Sequence, residues 1–230
     1  SQTLYKFILG THVNSARRAP TANCVNKLRD AQTTKKKLVH AALLAFSTRG
    51  YDAASTRSIE TAAGVKRGLI NHHYGSKQAL WQAAADHMML ITEQDLGGAL
   101  ENIKQIDDHL KLRFFVHAYV TFCAKHPELN RLMIQEGMDN DWRLQWLLER
   151  SVRPWYRQVC CVFNRAKDLG AAPKMDAHHF YYILTGAATL VFSNASEAEA
   201  LSGQNPLDPQ RIEAHADAVA NLFTPSEKPL

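Results

Sequence analysis

The chain has 230 residues, of which 46% are apolar, while glycine (11) and proline (8) are few. This composition allows one large domain or two small ones with a sizeable core, and it disfavours a turn-rich all-β fold. No stretch approaches the roughly 18 uninterrupted apolar residues of a membrane span. We therefore expect a soluble, cytoplasmic, mostly helical protein without a membrane partner.

Charge is distributed unevenly along the chain, whose net charge is +5. Residues 1–33 carry five Lys/Arg against one Asp (+4), residues 34–80 eight against two acids (+6), and residues 81–230 fourteen against nineteen (−5). A basic N-terminal third on a mildly acidic body indicates a polyanion partner for the first part only. A merely solvated lysine face would have the same charge, so charge alone does not decide between them.

Residues 1–33 lack clear periodicity and predict a flexible arm, with some helix near Val25–Ala31. From Thr34 onward, apolar residues recur at helical spacing between Leu38 and Phe46. Gly50 follows, as glycine does just past the end of a helix. The first ordered element is therefore predicted to be a helix that ends at Gly50.

Two shorter helices are predicted next. The segment "STRSIETAAG" favours a helix with Ser55 as its N-cap, and Lys66–His73 favours a third helix after the break at Gly64. Ser76 then caps a longer helix that begins at Lys77. Three helices within residues 34–80, the last two joined by a glycine-containing turn, are the helix-turn-helix layout.

Past residue 81 the pattern predicts a larger helical domain over residues 81–230. Pro154 lies inside one of its helices and should kink or split that helix near Val152. We expect helices near 77–102, 107–125, 127–137, 140–168, 176–197 and 208–223. The first of these begins just before residue 81, in the preceding domain.

Several kinds of chemistry are disfavoured by the residue patterns. His72 and His73 are adjacent, about 100° apart on a helix, and the residues one turn further on, Ser76 and Lys77, are poor zinc ligands. No GxSxG, phosphate-loop or dinucleotide fingerprint occurs. We predict no metal site, no cofactor and no catalytic residue.

The four cysteines show no CxxC spacing, and buried, reduced thiols are the default interpretation. Whether the adjacent pair Cys160 and Cys161 senses the redox state stays open. The other two are Cys24 and Cys123.

DNA suits the residue types of the third helix. Arginine pairs bidentately with guanine, so Arg67 near the start of that helix is a candidate base reader. Leu69 offers an apolar surface for a thymine methyl group, and Asn71 can read adenine or bond a phosphate. His73 is assigned either to a backbone phosphate or to packing between the third and first helices.

Residues 34–80 resemble the N-terminal domain of TetR/AcrR-type transcriptional repressors. The resemblance rests on "AALLAFSTRGY", "STRSI", the "AAGV" turn and "HHYGSKQAL", in that order and spacing. It implies an all-α homodimer that binds a palindromic, double-stranded DNA operator and is released by a small ligand in its C-terminal domain. Carried over by position, the DNA-facing set is Thr56, Arg57, Lys66, Arg67, Gly68, Leu69, Asn71, His72, His73 and Lys77.

Three positions depart from the usual pattern of this family. Position 71 is often tyrosine and is Asn71 here, position 69 is often threonine and is Leu69, and Glu60 stands where a small alanine is common. These departures bear on individual DNA contacts and leave the predicted fold unchanged.

The C-terminal part contains two candidate sites. Apolar and small residues on the last two long helices predict a dimer interface formed by Tyr181, Leu184, Ala187, Ala188, Val191, Ile212, His215 and Val219, although burial against other helices of the same chain is the alternative. The aromatic-rich helices of residues 77–168 predict a ligand pocket, most residues of which could equally be ordinary core, lined by His117, Phe122, Met133, Trp146, Tyr156 and Phe163. Competing functions are a helical small-molecule-binding protein or enzyme without specific DNA binding, and a dimeric adaptor.

Overall fold

A computed structural model describes residues 22–103 and 105–224, and every regular element in that part of the chain is helical. This confirms the predicted all-α class. The helices are α1 (Ala22–Ala53), α2 (Thr56–Ala62), α3 (Leu69–Tyr74), α4 (Lys77–Thr92), α5 (Gly98–Ile103), α6 (Lys111–Lys125), α7 (Pro127–Glu136), α8 (Trp142–Leu147), α9 (Arg153–Asp168), α10 (Ala177–Ser193), α11 (Ala195–Ser202) and α12 (Pro209–Phe223).

The chain divides into two compact units, residues 1–36 and residues 37–230. In the described part of the first unit the backbone is helical from Ala22, well before the predicted start near Thr34. Two threonine hydroxyls reinforce this turn of helix, since Thr33 and Thr34 donate to the carbonyls of Arg29 and Asp30, each at 2.9 Å. The rest of the predicted arm, residues 1–21, lies outside the described residues.

In the second unit, the predicted helix signals at Gly50, Ser55 and Ser76 are confirmed. Gly50 has non-helical dihedral angles (φ 76°, ψ 167°) and interrupts α1. The Ser55 hydroxyl accepts a hydrogen bond from the Ser58 amide at 3.1 Å, and the Ser76 hydroxyl accepts one from the Ala79 amide at 3.0 Å. Both serines therefore cap the N-terminus of a helix, as the residue type predicts.

The third helix was predicted to begin at Lys66, and that boundary is wrong. Helix α3 begins at Leu69, because Gly64 and Gly68 both have positive φ values (64° and 86°) that break the helical path between them. Lys66 therefore lies in the loop and Arg67 in the turn before α3. The helix-turn-helix layout itself is confirmed.

Helices α1 to α4 share one apolar core. Burying a large apolar side chain stabilises a fold by about 1.5–3 kcal/mol, so this core holds the short helices α2 and α3 in place. Its fully or almost fully buried members are Leu38, Ala42, Phe46, Ile59, Ile70, Leu80 and Trp81.

The body of the protein is built around α6 and α10. Helix α6 contacts α12, α10 and α9, and α10 contacts α7 and α9 as well. At the centre, the rings of Phe163 and Phe180 stack at 4.2 Å, and Phe223 meets Phe180 edge-on at 4.8 Å. None of the described helices is long and apolar enough to cross a membrane.

Several predicted helices of the body have different boundaries in the structure. The helix predicted over 140–168 is split into α8 and α9 by a π-helical turn at Leu148–Val152, just before Pro154, as the proline predicted. The helix predicted over 176–197 ends at Ser193, and α11 follows Asn194 as a separate helix. A second π-helical turn, Glu93–Gly97, separates α4 from α5, and the helix predicted from residue 107 begins at Lys111.

Candidate nucleic-acid interface

The α2–α3 turn brings two cations to the surface. Lys66 and Arg67 are exposed, and Gly68, with φ 86°, follows them as the N-cap of α3. No atom lies within 4 Å of the position that a Cβ on Gly68 would occupy, so the backbone there is open to a close approach. The turn therefore presents positive charge beside unobstructed backbone.

Helix α3 has one buried face and one exposed face. Ile70 is 2% exposed and anchors the helix, whereas its neighbour Asn71 is exposed and Leu69 is half-buried. His72 is exposed, His73 is half-buried, and their rings meet at 4.9 Å. The polar face of α3 thus consists of Asn71 and His72, with Arg67 preceding it.

A carboxylate from α2 caps α3, which the sequence did not predict. Glu60 is only 5% exposed, and its Oε1 accepts a hydrogen bond from the Ile70 amide at 2.9 Å. Gly68 has no side chain with which to cap the helix, so Glu60 supplies the missing acceptor from ten residues earlier. The only sequence signal was that an acid stands at a position where the resembling family commonly has alanine.

Helices α2, α3 and α4 enclose a cleft of about 290 Å³. Thr56, Gly68, Asn71 and Lys77, all predicted to face DNA, line this cleft together. The other six predicted residues do not line it: Arg57, Lys66, Arg67 and His72 are exposed elsewhere on the surface, and Leu69 and His73 are half-buried.

Lys77 also connects α4 to the end of α1. Its ammonium group donates to the Asp52 carbonyl at 3.3 Å and lies 4.4 Å from the centre of the Tyr51 ring. The side chain is half-buried, so Lys77 has a packing role in addition to its position at the cleft.

A buried polar junction links α1 and α4 to the body. Glu136, 2% exposed, accepts hydrogen bonds from the indole N–H of Trp81 at 3.0 Å and from Nε of Arg143 at 2.6 Å. The Arg143 guanidinium lies 4.7 Å from the Tyr51 ring. A second link is made by Gln135, whose amide donates to the Ser47 carbonyl at 3.1 Å. We call Tyr51, Trp81, Glu136 and Arg143 the polar junction.

The six predicted ligand residues are not brought together at the cleft of about 290 Å³ or at a second cleft, of about 730 Å³. Phe122 and Phe163 are buried in the core, Met133 and Trp146 are half-buried, and His117 lies 3.1 Å from Asp217. Tyr156 alone among the six lines the open cleft of about 730 Å³ between α9 and the start of α10. Cys160 and Cys161 line that cleft too, whereas burial raises the pKa of the Cys123 thiol to about 12.

Three of the eight predicted dimer residues are buried within the chain, and the other five are half-buried. Leu184, Ala188 and Val219 are buried, and His215 Nε2 lies 2.8 Å from the Ala187 carbonyl oxygen of the same chain. Tyr181, Ala187, Val191, Ile212 and His215 are half-buried. The large apolar side chains that α10 and α12 expose are Tyr182, Ile183, Leu190 and Leu222.

Two protein families match the sequence. "Bacterial regulatory proteins, tetR family" matches residues 38–84, and "Tetracyclin repressor-like, C-terminal domain" matches residues 110–222. The first match covers the apolar stripe of α1 from Leu38 to Phe46, together with α2, α3 and the first half of α4. The second match covers α6 to α11 and all but the last residue of α12.

Known repressors are similar to this chain over part of its length. It is 32% identical to the HTH-type transcriptional repressor AcnR of Corynebacterium jeikeium over 128 residues, which are 50% of this chain and 67% of AcnR. It is 31% identical to the HTH-type transcriptional repressor SCO4008 of Streptomyces coelicolor over 111 residues, 48% of this chain. The chain spans about half (53%) of the length of that second relative.

The fold is similar to that of AibR, which was solved in complex with isovaleryl coenzyme A and operator DNA. The TM-score is 0.67 with 15% sequence identity, over 84% of this chain and 98% of AibR. At that level of identity, the similarity concerns the fold alone.

Proposed function

The chain belongs to the tetR family of bacterial regulatory proteins, and on that premise we propose that it binds a palindromic operator as a homodimer and leaves it when a small ligand binds the body. Its family relatives identify it as a DNA-binding transcriptional regulator of the repressor type. The observation that carries the proposal is the exposed polar surface of the turn and of α3, beside the cleft that Lys77 lines. Its side chains are those of Lys66, Arg67, Asn71 and His72.

Base reading is assigned to Arg67, Leu69 and Asn71. Arg67 is exposed in the turn, and a flexible arginine there can reach guanine O6 and N7 from just outside the helix. Asn71 is exposed on α3, where an amide can pair with adenine, while half-buried Leu69 offers methyl groups to thymine. Sequence preference should therefore depend on these three side chains more than on the surrounding cations.

Phosphate binding is assigned to the start of α4 and of α2. Helix α4 has 16 residues, and its first-turn amides and positive end favour an anion near Ser76 and Lys77. Thr56 lines the same cleft, so its hydroxyl group is placed to donate to the same stretch of DNA backbone. Affinity should then fall steeply as salt rises, because bound counterions are released from the DNA.

The dimer interface is assigned to the exposed apolar residues of α10 and α12. Tyr182, Ile183, Leu190 and Leu222 are 45–62% exposed in one chain, and covering them requires another apolar surface. A second copy supplies that surface by two-fold symmetry. The same symmetry would set the two α3 helices against half-sites about 34–36 Å apart, or somewhat further.

Release by a ligand follows from linkage. A ligand that binds more tightly to the DNA-free arrangement weakens DNA binding, and DNA weakens ligand binding by the same factor. The polar junction is the route we assign to this coupling, because Glu136 of α7 and Arg143 contact residues of α1 and α4 directly.

A gel-shift experiment with the DNA upstream of the chain's own gene tests the proposal. A repressor of this kind gives a discrete complex that an excess of unrelated duplex does not compete away. A small-molecule-binding protein or enzyme without specific DNA binding gives no such complex, and that outcome would reject the operator proposal.

A further inference from the structure

The start of the recognition helix α3 is held by a residue outside the helix. It has only six residues, and its N-cap, Gly68, has no side chain. The first amides of any helix lack partners within the helix, and a short helix has few other hydrogen bonds to hold its orientation. What fixes the start of α3 therefore also fixes the direction of its base-reading side chains.

Glu60 fixes that start in two ways. Its carboxylate accepts a hydrogen bond from the Ile70 amide at 2.9 Å. Its backbone carbonyl accepts one from the Val65 amide at 3.1 Å. One residue of α2 thus holds both the beginning of the turn and the first turn of α3. Ile70 is in addition anchored by its buried side chain, so the helix is held at this residue from both backbone and side chain.

The position of this contact matters because Ile70 lies directly between Leu69 and Asn71. A rotation of α3 about its axis would move both of these side chains, and it would carry Arg67 with them through the turn. Without the Glu60 carboxylate, the buried Ile70 amide would have no hydrogen-bond acceptor. Because an unsatisfied buried amide is costly, α3 would then favour a shifted position.

We propose that Glu60 is the positioning residue for base reading, and that its carboxylate, at the N-terminal end of α3, directs DNA phosphates to the start of α4 instead. This inference rests on the proposed operator binding. Glu60 lies in the cleft with Thr56 and Lys77, so a phosphate at the α3 end would meet a carboxylate, whereas at the α4 end it meets an ammonium group.

Two substitutions separate the effect of the length of the Glu60 side chain from the effect of its charge. Glu60→Gln keeps a carbonyl oxygen at the same distance but removes the charge, whereas Glu60→Asp keeps the charge but shortens the side chain by one methylene. We expect Glu60→Gln to retain the preference for the operator over a scrambled duplex and Glu60→Asp to lose about ten-fold of it. Glu60→Gln should also bind the scrambled duplex about two-fold more tightly, since a nearby negative charge has gone.

The measurement is fluorescence anisotropy of the full chain with labelled operator and scrambled duplexes, at a temperature where circular dichroism shows each variant folded. The control is Asp139→Asn, which removes an exposed acid between α7 and α8 and so changes the net charge as Glu60→Gln does. It should leave both affinities unchanged.

The proposal is overturned if Glu60→Asp keeps the preference for the operator, or if Glu60→Gln loses it. If Glu60→Asp does not fold, Glu60→Gln decides alone: retained preference with tighter binding to the scrambled duplex supports the proposal. A wild-type chain with no preference would instead refute operator binding itself.

Discussion

The helix-turn-helix exposes polar and charged side chains, whereas α10 and α12 expose large apolar ones. The first presents Arg67, Asn71 and His72 around short capped helices, whereas the second presents Tyr182, Ile183 and Leu190. A polar, cationic surface is suited to a phosphate backbone, and an apolar one to another protein surface. Under the proposed function, DNA therefore binds the helix-turn-helix and a second copy of the chain covers the exposed apolar side chains of α10 and α12.

The largest effect is expected from breaking the polar junction. Arg143→Met should lower the free energy of unfolding by about 3–5 kcal/mol, because the Glu136 carboxylate would stay buried without its cation. Urea denaturation followed by circular dichroism measures this.

The matched control for that substitution is Arg150→Met. Arg150 forms an exposed ion pair with Asp86 at 3.6 Å, and such pairs contribute only about 0–1 kcal/mol. Equal losses in the two variants would mean that the junction contributes no more than a surface pair.

The next largest effect is expected at the exposed apolar side chains of α10 and α12. Leu190→Glu should shift the protein from dimer to monomer and weaken operator binding by about 100-fold, since two linked half-site contacts become independent. Light scattering after size-exclusion chromatography gives the mass, and anisotropy gives the affinity. The control is Leu90→Glu, which changes a comparably exposed leucine on α4 and should leave the dimer intact. If Leu90→Glu dissociates the dimer and Leu190→Glu does not, the interface does not include Leu190.

A smaller and more selective effect is expected at the DNA-facing end. Arg67→Ala should cost about 1–3 kcal/mol at one operator position and relax the base preference there. Titrations with operators substituted at single base pairs measure this. A loss that is uniform across sequences would make Arg67 a phosphate contact.

Lys77→Ala should weaken binding to all sequences alike and reduce the slope of log affinity against log salt by about one. A salt titration checks this. An unchanged slope would leave Lys77 only its contacts with the Asp52 carbonyl and the Tyr51 ring.

The smallest effect expected is a change in the stability of the protein with pH, caused by Asp108. Hydrogen bonds from Lys111 and Arg165 lower the pKa of Asp108 from its usual 3.8 to about 2. The lowered value means that this stabilisation is fully present above the usual pKa and is lost as the pH falls toward about 2. The melting temperatures of wild type and Asp108→Asn should converge on acidification, and a constant difference would contradict this.

The helix-turn-helix was predictable because its signals are local. Ser55, Ser76 and Gly50 act within a few residues of their own positions, so a single sequence contains the whole signal. The start of α3 was missed because two glycines in the left-handed region displaced it, and the role of Glu60 was missed because its partner is ten residues away.

The body was less predictable for a physical reason. Helix α10 is apolar on more than one side, so periodicity alone could not tell that Leu184 faces the core while Ile183 faces outward. Partners such as Glu136 with Trp81, or Arg113 with Asp217, lie far apart in sequence, and only the packing of helices brings them together.

The most direct test of the central claim is to sequence the DNA fragments that the purified full chain selects from random duplexes. Operator binding by a symmetric dimer predicts enrichment of an inverted repeat, and selection with Arg67→Ala should then lose preference at one base pair of each half-site. Fragments that share no sequence, or a site without two-fold symmetry, would contradict the assignment of DNA and dimer surfaces.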